Sequence, residues 1–235
     1  MHKEWKKAKL WMKMLLLLPV AYISAVRVRK KDFGLRFEVA RQWAFILLRM
    51  TKTRLEIKGQ ENFPKEEGNL LVCNHQGSMD AFVLFGAIDV PFTAVGKVQG
   101  AKIPILGRWY KVMEMVLFDR DSAKDSIRMV RETAEVMKKG RNVLIFPEGT
   151  RSKKAEMGEF KAGALKPAFL AKCPIVPIAL IDSYKVLDAP GGNRFIVGVS
   201  VGKPMLYEEY GEMTTQEVAD KIKQQIQAMM DKKEG

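Results

Sequence analysis

Two stretches of this chain combine residue types and spacings that could do chemistry. The first is Asn74-His75-Gln76-Gly77-Ser78-Met79-Asp80, which follows a strand-like apolar run at 70–73 and precedes a helix-like run at 81–85. His75 and Asp80 therefore bracket a strand-to-helix turn. Five positions is too far for a pair on one helix face, but a turn that leaves His75 on the strand and starts the helix near Ser78 can fold the carboxylate back onto the imidazole. Such a pairing fixes the tautomer and leaves the other ring nitrogen free to take a proton from a hydroxyl. The only other histidine, His2, lies in a charged terminal segment, so imidazole chemistry falls on His75. The second stretch, Phe146-Pro147-Glu148-Gly149-Thr150-Arg151-Ser152, follows another buried strand. It puts a carboxylate, a flexible glycine and a guanidinium in one turn, where backbone N–H groups and Arg151 can hold a phosphate.

Each feature has a plainer explanation. A single histidine can be a satisfied core or surface residue, and an aspartate in the first turn of a helix is favourable without any reaction. Glu148 and Arg151 can be a casual surface ion pair. Cys73 shares a strand face with His75, which makes a Cys-His nucleophile conceivable, but a small buried hydrophobe explains it better. Ser78 reads as a helix cap rather than a nucleophile. No separate nucleophile is evident.

The 235 residues are 47% hydrophobic, ample for a core and incompatible with a disordered chain. Lys and Arg number 40 against 27 Asp and Glu, a formal charge of +13. That balance attracts a polyanion: nucleic acid, an anionic membrane or a phosphorylated substrate. The two cysteines, Cys73 and Cys173, sit far apart in apolar segments, which implies reduced thiols and a cytoplasmic setting rather than a disulfide framework. There is no zinc-type Cys/His spacing and no glycine-rich nucleotide loop.

Much of the charge flanks an N-terminal apolar stretch. Lys3, Lys6, Lys7 and Lys9 precede it, and Arg27, Arg29, Lys30 and Lys31 follow it. The uninterrupted part, 14–26, is shorter than the roughly 20 residues a bilayer span requires. Basic residues directly after it oppose export and favour retention on the cytoplasmic side. Residues 35–50 carry apolar side chains at helical spacing with Arg36, Glu38, Arg41, Gln42 and Arg49 between them. Residues 1–52 are thus expected to form an amphipathic helix pair lying monotopically in the membrane interface, with Trp5, Trp11 and Trp43 near headgroup depth. The alternatives are a hairpin packed on the rest of the protein, or a dimer contact.

From residue 53 short strand and helix patterns alternate. Strands are expected at 54–58, 69–73, 92–96, 112–118, 142–146, 175–181 and 195–201. Between them come a helix after Ser78, a short helical or irregular piece at 101–110, a helix opened by Ser122 and stopped by Gly140, and one at 161–172 despite Pro167. Thr214-x-x-Glu217 opens a C-terminal helix with a capping box. The alternation predicts an α/β layered domain over 53–235, a central sheet flanked by helices.

The Asn-His-x-x-x-x-Asp spacing at 74–80, with the 146–152 block, resembles the glycerolipid acyltransferases. Leu117-Phe118-Asp119-Arg120 and Val176-Pro177-Ile178-Ala179-Leu180 resemble two further blocks of that family, in the right order, and Lys97 before Ile103-Pro104-Ile105-Leu106-Gly107 also looks familial. Met115 stands where the family often has glycine. The resemblance covers roughly 53–205. It implies transfer of a fatty acyl group from acyl-CoA or acyl-carrier protein, as co-substrate, to the sn-2 hydroxyl of 1-acyl-glycerol 3-phosphate, giving phosphatidic acid. His75 and Asp80 would be the catalytic pair. Lys97, Lys102, Arg120, Glu148, Gly149, Thr150 and Arg151 would hold the acceptor, and Asn74 would position the turn or polarise the carbonyl. No metal and no cofactor is implied, and nucleic acid is not expected as a partner. The same motifs also serve acyltransferases acting on glycerol 3-phosphate or other lysophospholipids. A non-enzymatic basic protein binding membrane or nucleic acid is the rival of a different class. Thioester attack needs only a base and its orienting carboxylate, which suits the missing nucleophile. Membrane docking suits lipid substrates, because extracting a chain costs about 0.8 kcal/mol per CH₂.

Overall fold

In the computed structural model, residues 2–65, 68–186 and 194–232 are described, with side chains from residue 12 onward. The chain opens with α1 (His2–Val28) and α2 (Phe33–Met50), followed by β1 (Thr53–Lys58), β2 (Leu70–Cys73), α3 (Asp80–Ala87) and β3 (Phe92–Lys97). Next come α4 (Pro104–Val112), β4 (Val116–Phe118), α5 (Ala123–Lys138), β5 (Asn142–Ile145) and α6 (Lys166–Ala171). The last elements are β6 (Ile175–Ile181), β7 (Phe195–Val201), α7 (Tyr207–Tyr210) and α8 (Thr215–Asp231).

The strands make one seven-stranded sheet in the order β1-β7-β6-β2-β5-β3-β4. From β6 to β4 neighbours are parallel; β7 runs antiparallel to β6, and β1 parallel to β7. β2, β5 and β6 lie at the centre, and nearly every residue in them is buried. Their uninterrupted Leu, Val and Ile content follows from being covered on both faces. One face packs against α1 to α4 through Phe37, Leu48, Leu84 and Ile88, the other against α5, α6 and α8 through Met129, Leu165, Ile222 and Ile226. The expected sheet flanked by helices is the observed architecture.

Local signals explain most boundaries. Ser122 Oγ accepts from Asp125 N at 3.2 Å, Gly140 takes a positive φ of 82° after α5, and the Thr214–Glu217 capping box opens α8. Asp32 Oδ1 accepts from Leu35 N, so α2 begins at Phe33, two residues earlier than its apolar spacing suggests. The strand expected at 112–118 is shorter. Val112 ends α4, Arg36 Nη1 donates to its carbonyl at 2.9 Å, and Glu114 turns the chain at φ 52° before β4 begins at Val116. Residues 161–172 divide into a 3-10 turn (Ala162–Leu165) and α6; Pro167 falls in the first turn of α6, where its missing N–H costs nothing. Ser78 is not a cap: Met79 holds that place in α3 and makes no side-chain cap bond.

The N-terminal helices behave differently from one another. α2 buries Phe37, Ala40, Ala44 and Leu48 in the same core as the sheet, and Phe37 packs edge-on to Phe92 and against Phe85. α1 leaves Leu15, Leu16, Val20 and Ile23 exposed, and docks on α4 where Arg108 Nη2 donates to Tyr22 Oη at 2.7 Å. Lys3, Lys6, Lys7, Lys9, Trp5 and Trp11 lie outside the described side chains. Among the described residues no helix is long and apolar enough to cross a membrane.

Because α2 is built into the core, Phe37→Ala should lower the unfolding free energy by about 3–5 kcal/mol in urea titration. A loss below about 1 kcal/mol would show that α2 is only loosely attached.

Candidate active site

β2 ends at Cys73, and the next residues leave the sheet in a turn fastened from several sides. Asn74 is fully buried; its Nδ2 donates to Leu180 O at 2.9 Å and its Oδ1 accepts from Leu180 N at 2.7 Å. The side chain thus acts as a short ladder rung between the end of β2 and β6. His75 comes next, half-covered, with its ring stacked on Phe146 at 4.1 Å between centroids. Its Nδ1 lies 2.8 Å from Asp80 Oδ2.

Asp80 has no solvent exposure. Its Oδ2 also accepts from Gln76 N at 2.6 Å and Gly77 N at 3.0 Å, and its Oδ1 accepts from Gly77 N at 2.9 Å and Ser183 Oγ at 2.6 Å. An acceptor surrounded by these donors makes Nδ1 of His75 the protonated nitrogen and leaves Nε2 free as the basic one. Gln76 completes the arrangement: its Oε1 accepts from Ser183 N at 3.1 Å and its Nε2 donates to Ala155 O at 3.0 Å.

The 146–152 turn lies against this one. Ser152 N donates to His75 O and Lys153 N to Gln76 O, both at 2.9 Å. Glu148 is buried; Oε1 accepts from His75 N and Oε2 from Gly158 N, both at 2.8 Å. Burial holds its carboxyl above the ordinary carboxylate range, against the opposing pull of those backbone donors. Arg120, at the end of β4, donates through Nη1 to Gly149 O, while its Nε is buried with no partner among the described residues. Burial lowers the guanidinium from its usual value. Arg151 is exposed and donates to Ser78 Oγ.

Asn74, expected to position the turn or polarise the carbonyl, and Glu148, expected to hold the acceptor, both turn inward. Asn74 and Glu148 have their oxygens engaged by backbone N–H groups inside the protein, so the geometry gives them the task of holding the His75 turn against β6 and the second loop. His75, Asp80, Arg120, Gly149 and Arg151 do converge on one end of the sheet. Thr150 is exposed beside Arg151, and Lys97 is exposed at the end of β3, opposite Phe118 in the ladder. Lys102, exposed in the 3-10 turn before α4, makes no hydrogen bond or ion pair among the described residues. Reading the sequence missed Ser183, Gln76 and the stacking role of Phe146. Nothing local marks Ser183, which reaches Asp80 because Asp182 turns the chain after β6 at φ 66°.

Residues 54–181 match the family model described as Acyltransferase. A 1-acyl-sn-glycerol-3-phosphate acyltransferase of Saccharomyces cerevisiae is 30% identical over 213 residues, covering 88% of this chain and 69% of the yeast protein. The chain belongs to the acyltransferase family. Another relative, the chloroplastic 1-acyl-sn-glycerol-3-phosphate acyltransferase BAT2 of Brassica napus, is 31% identical over 190 residues, or 78% of this chain. The acyltransferase chain here spans about half the length of such plant relatives, 54% in that case. The crystal structure of the acyltransferase PlsC from Thermotoga maritima has the same fold, with a TM-score of 0.81 at 18% identity, covering 100% of this chain and 97% of that one.

In this acyltransferase Cys73 is fully buried, and burial, with Asp80 and Glu148 nearby, holds its thiol well above the usual range; burial likewise pushes Cys173 to about 11. Both thiols should therefore stay protonated and unlabelled by iodoacetamide at pH 8 until the protein unfolds, as read by mass spectrometry. Rapid labelling of Cys73 in the folded protein would restore it as a candidate nucleophile.

Proposed function

We propose that the protein transfers a fatty acyl group from an acyl thioester, carried by coenzyme A or acyl-carrier protein, to the sn-2 hydroxyl of 1-acyl-glycerol 3-phosphate, producing phosphatidic acid. The observation that carries this reading is the His75–Asp80 pair, with Nε2 left free, set beside the cationic Arg120–Gly149 turn, while the nearby Cys73 thiol is buried and held protonated. The relatives from Brassica napus and Saccharomyces cerevisiae are named for the same acceptor.

In this mechanism His75 Nε2 removes the proton of the acceptor hydroxyl as its oxygen attacks the thioester carbonyl. The new C–O bond forms, the C–S bond breaks, and the proton passes from the imidazolium to the departing thiolate. Asp80 and Ser183 keep the ring oriented and stabilise its charged form. The guanidinium groups of Arg120 and Arg151 and the amide groups around Gly149 take the acceptor phosphate, with Lys97 adding positive charge. Gly149, at φ 69°, lets the turn present its backbone there. No metal or cofactor takes part.

We place the enzyme on the cytoplasmic face of the membrane. The exposed Leu15, Leu16, Val20 and Ile23 of α1 insert among acyl chains, and Arg27, Arg29, Lys30 and Lys31 meet lipid phosphates. The acceptor then reaches His75 without leaving the leaflet.

An acceptor panel with one labelled acyl donor tests the assignment. Lysophosphatidic acid should be the preferred acceptor; robust transfer to glycerol 3-phosphate or a larger-headgroup lysolipid, but not to lysophosphatidic acid, would overturn it. His75→Ala should lower kcat by about 10³-fold or more, and Asp80→Asn by about 10²-fold with little change in acceptor KM. Arg120→Ala should chiefly raise acceptor KM, and an effect confined to the acyl donor would contradict its phosphate role.

A further inference from the structure

The face of the sheet opposite α1 and α2 is not fully closed. α5 and α6 part to leave a cleft of about 370 Å³, large enough for part of a small-molecule ligand. Its walls include Val95, Phe118, Met129 and Ile145, and its lips carry Ile127 and Leu170, which are 57% and 50% exposed. At one end the lining reaches Phe146, on which His75 stacks, and Arg120 with Gly149. Arg131 on α5, Lys161 and Lys166 also line the cleft. None of these three makes an ion pair among the described residues.

An apolar trough edged by exposed cations is used only in part by a bare acyl chain, which makes no contact with the charges, or by a free phosphate, which leaves the apolar walls wet. It fits an elongated arm carrying an anion at its far end. The acceptor phosphate is already answered by Arg120 and Arg151, and a second anion placed on the same groups would repel it. Arg131 and Lys166 are separate cations on the helices that form the lips. The cleft also opens on the side away from exposed α1, where a water-soluble donor can approach while the lipid acceptor comes from the membrane.

Building on the acyl-transfer reading above, we infer that this cleft receives the 4′-phosphopantetheine arm common to coenzyme A and acyl-carrier protein. The sulfur end lies at Phe146 beside His75, the arm runs between α5 and α6, and its phosphate meets Arg131 and Lys166. Ile127 and Leu170 cover the middle of the arm. The same cleft therefore serves either donor, whatever lies beyond the phosphate.

Two variants away from the His75 machinery test this: Ile127→Trp, which fills the trough at an exposed lip, and the double charge reversal Arg131→Glu/Lys166→Glu. Both should raise donor KM by about tenfold, equivalent to about 1.4 kcal/mol, with acyl-CoA, acyl-carrier protein and S-acyl 4′-phosphopantetheine alike. Acceptor KM and kcat should stay within about twofold. With S-acyl pantetheine, which lacks the phosphate, the charge reversal should have no effect while Ile127→Trp still does. Unchanged donor KM, or a rise in acceptor KM instead, would overturn the assignment. An effect limited to acyl-CoA would assign the cations to the nucleotide phosphates, and one limited to the carrier protein would assign them to its surface; either result also overturns it. Calorimetric titration of free 4′-phosphopantetheine reads the cleft without turnover. If the wild type acylates no lysophosphatidic acid yet binds the arm and both variants weaken that binding, the cleft assignment stands and the acceptor assignment fails.

Discussion

A carboxylate with no access to water must find its donors inside the protein, and the turn after β2 is shaped by that demand. Asp80 draws in the N–H groups of Gln76 and Gly77, the ring of His75 and the hydroxyl of Ser183. The turn can adopt this form because α3 starts at Asp80 itself, so the first helical residue points back over the chain that precedes it. Without these partners the charge would carry a desolvation cost of several kcal/mol. Satisfying it also fixes the rotamer and tautomer of His75, so the stability of the turn and the orientation of the imidazole come from the same contacts.

Around this knot the neighbouring elements are tied by side chains acting as substitute backbone. Asn74 joins the end of β2 to Leu180 in β6, and Glu148 joins His75 to Gly158 across the second loop. These groups emerge at the ends of β2, β5 and β6, adjacent strands at the centre of the sheet. Parallel central strands bring several loops to one end, which is where open α/β sheets place ligands. Here they bring an imidazole from one loop beside a guanidinium from β4 and a glycine turn from β5.

The two sides of the sheet divide the remaining work. α1 and α2 lie on one face, α1 carrying exposed leucines and α2 packed firmly into the core. Part of the excess positive charge flanks the apolar segment at the N-terminus, and part lines the cleft between α5 and α6 on the other face. In the proposed reaction a lipid acceptor and a soluble donor would approach His75 from different directions.

Much of this was legible in the order of residues. Buried parallel strands are continuous apolar runs, and caps such as Ser122 and Thr214 act within one turn, so elements and sheet class could be read directly. The spacing of His75 to Asp80 was also local enough to suggest their pairing. The early end of the 112–118 strand was not legible, because Arg36 binds Val112 from across the fold. Ser183 was hidden for the same reason: it lies 103 positions from Asp80. Sequence alone determined which residues could titrate, where most of the helices and strands form, and that a histidine and a basic turn each follow a strand. Only the tertiary structure decided that Asn74 and Glu148 turn inward, that Ser183 completes the Asp80 shell, and that α5 and α6 leave a cleft. Those outcomes depend on hydrogen bonds and packing between distant segments, which the spacing of neighbours along the chain does not encode.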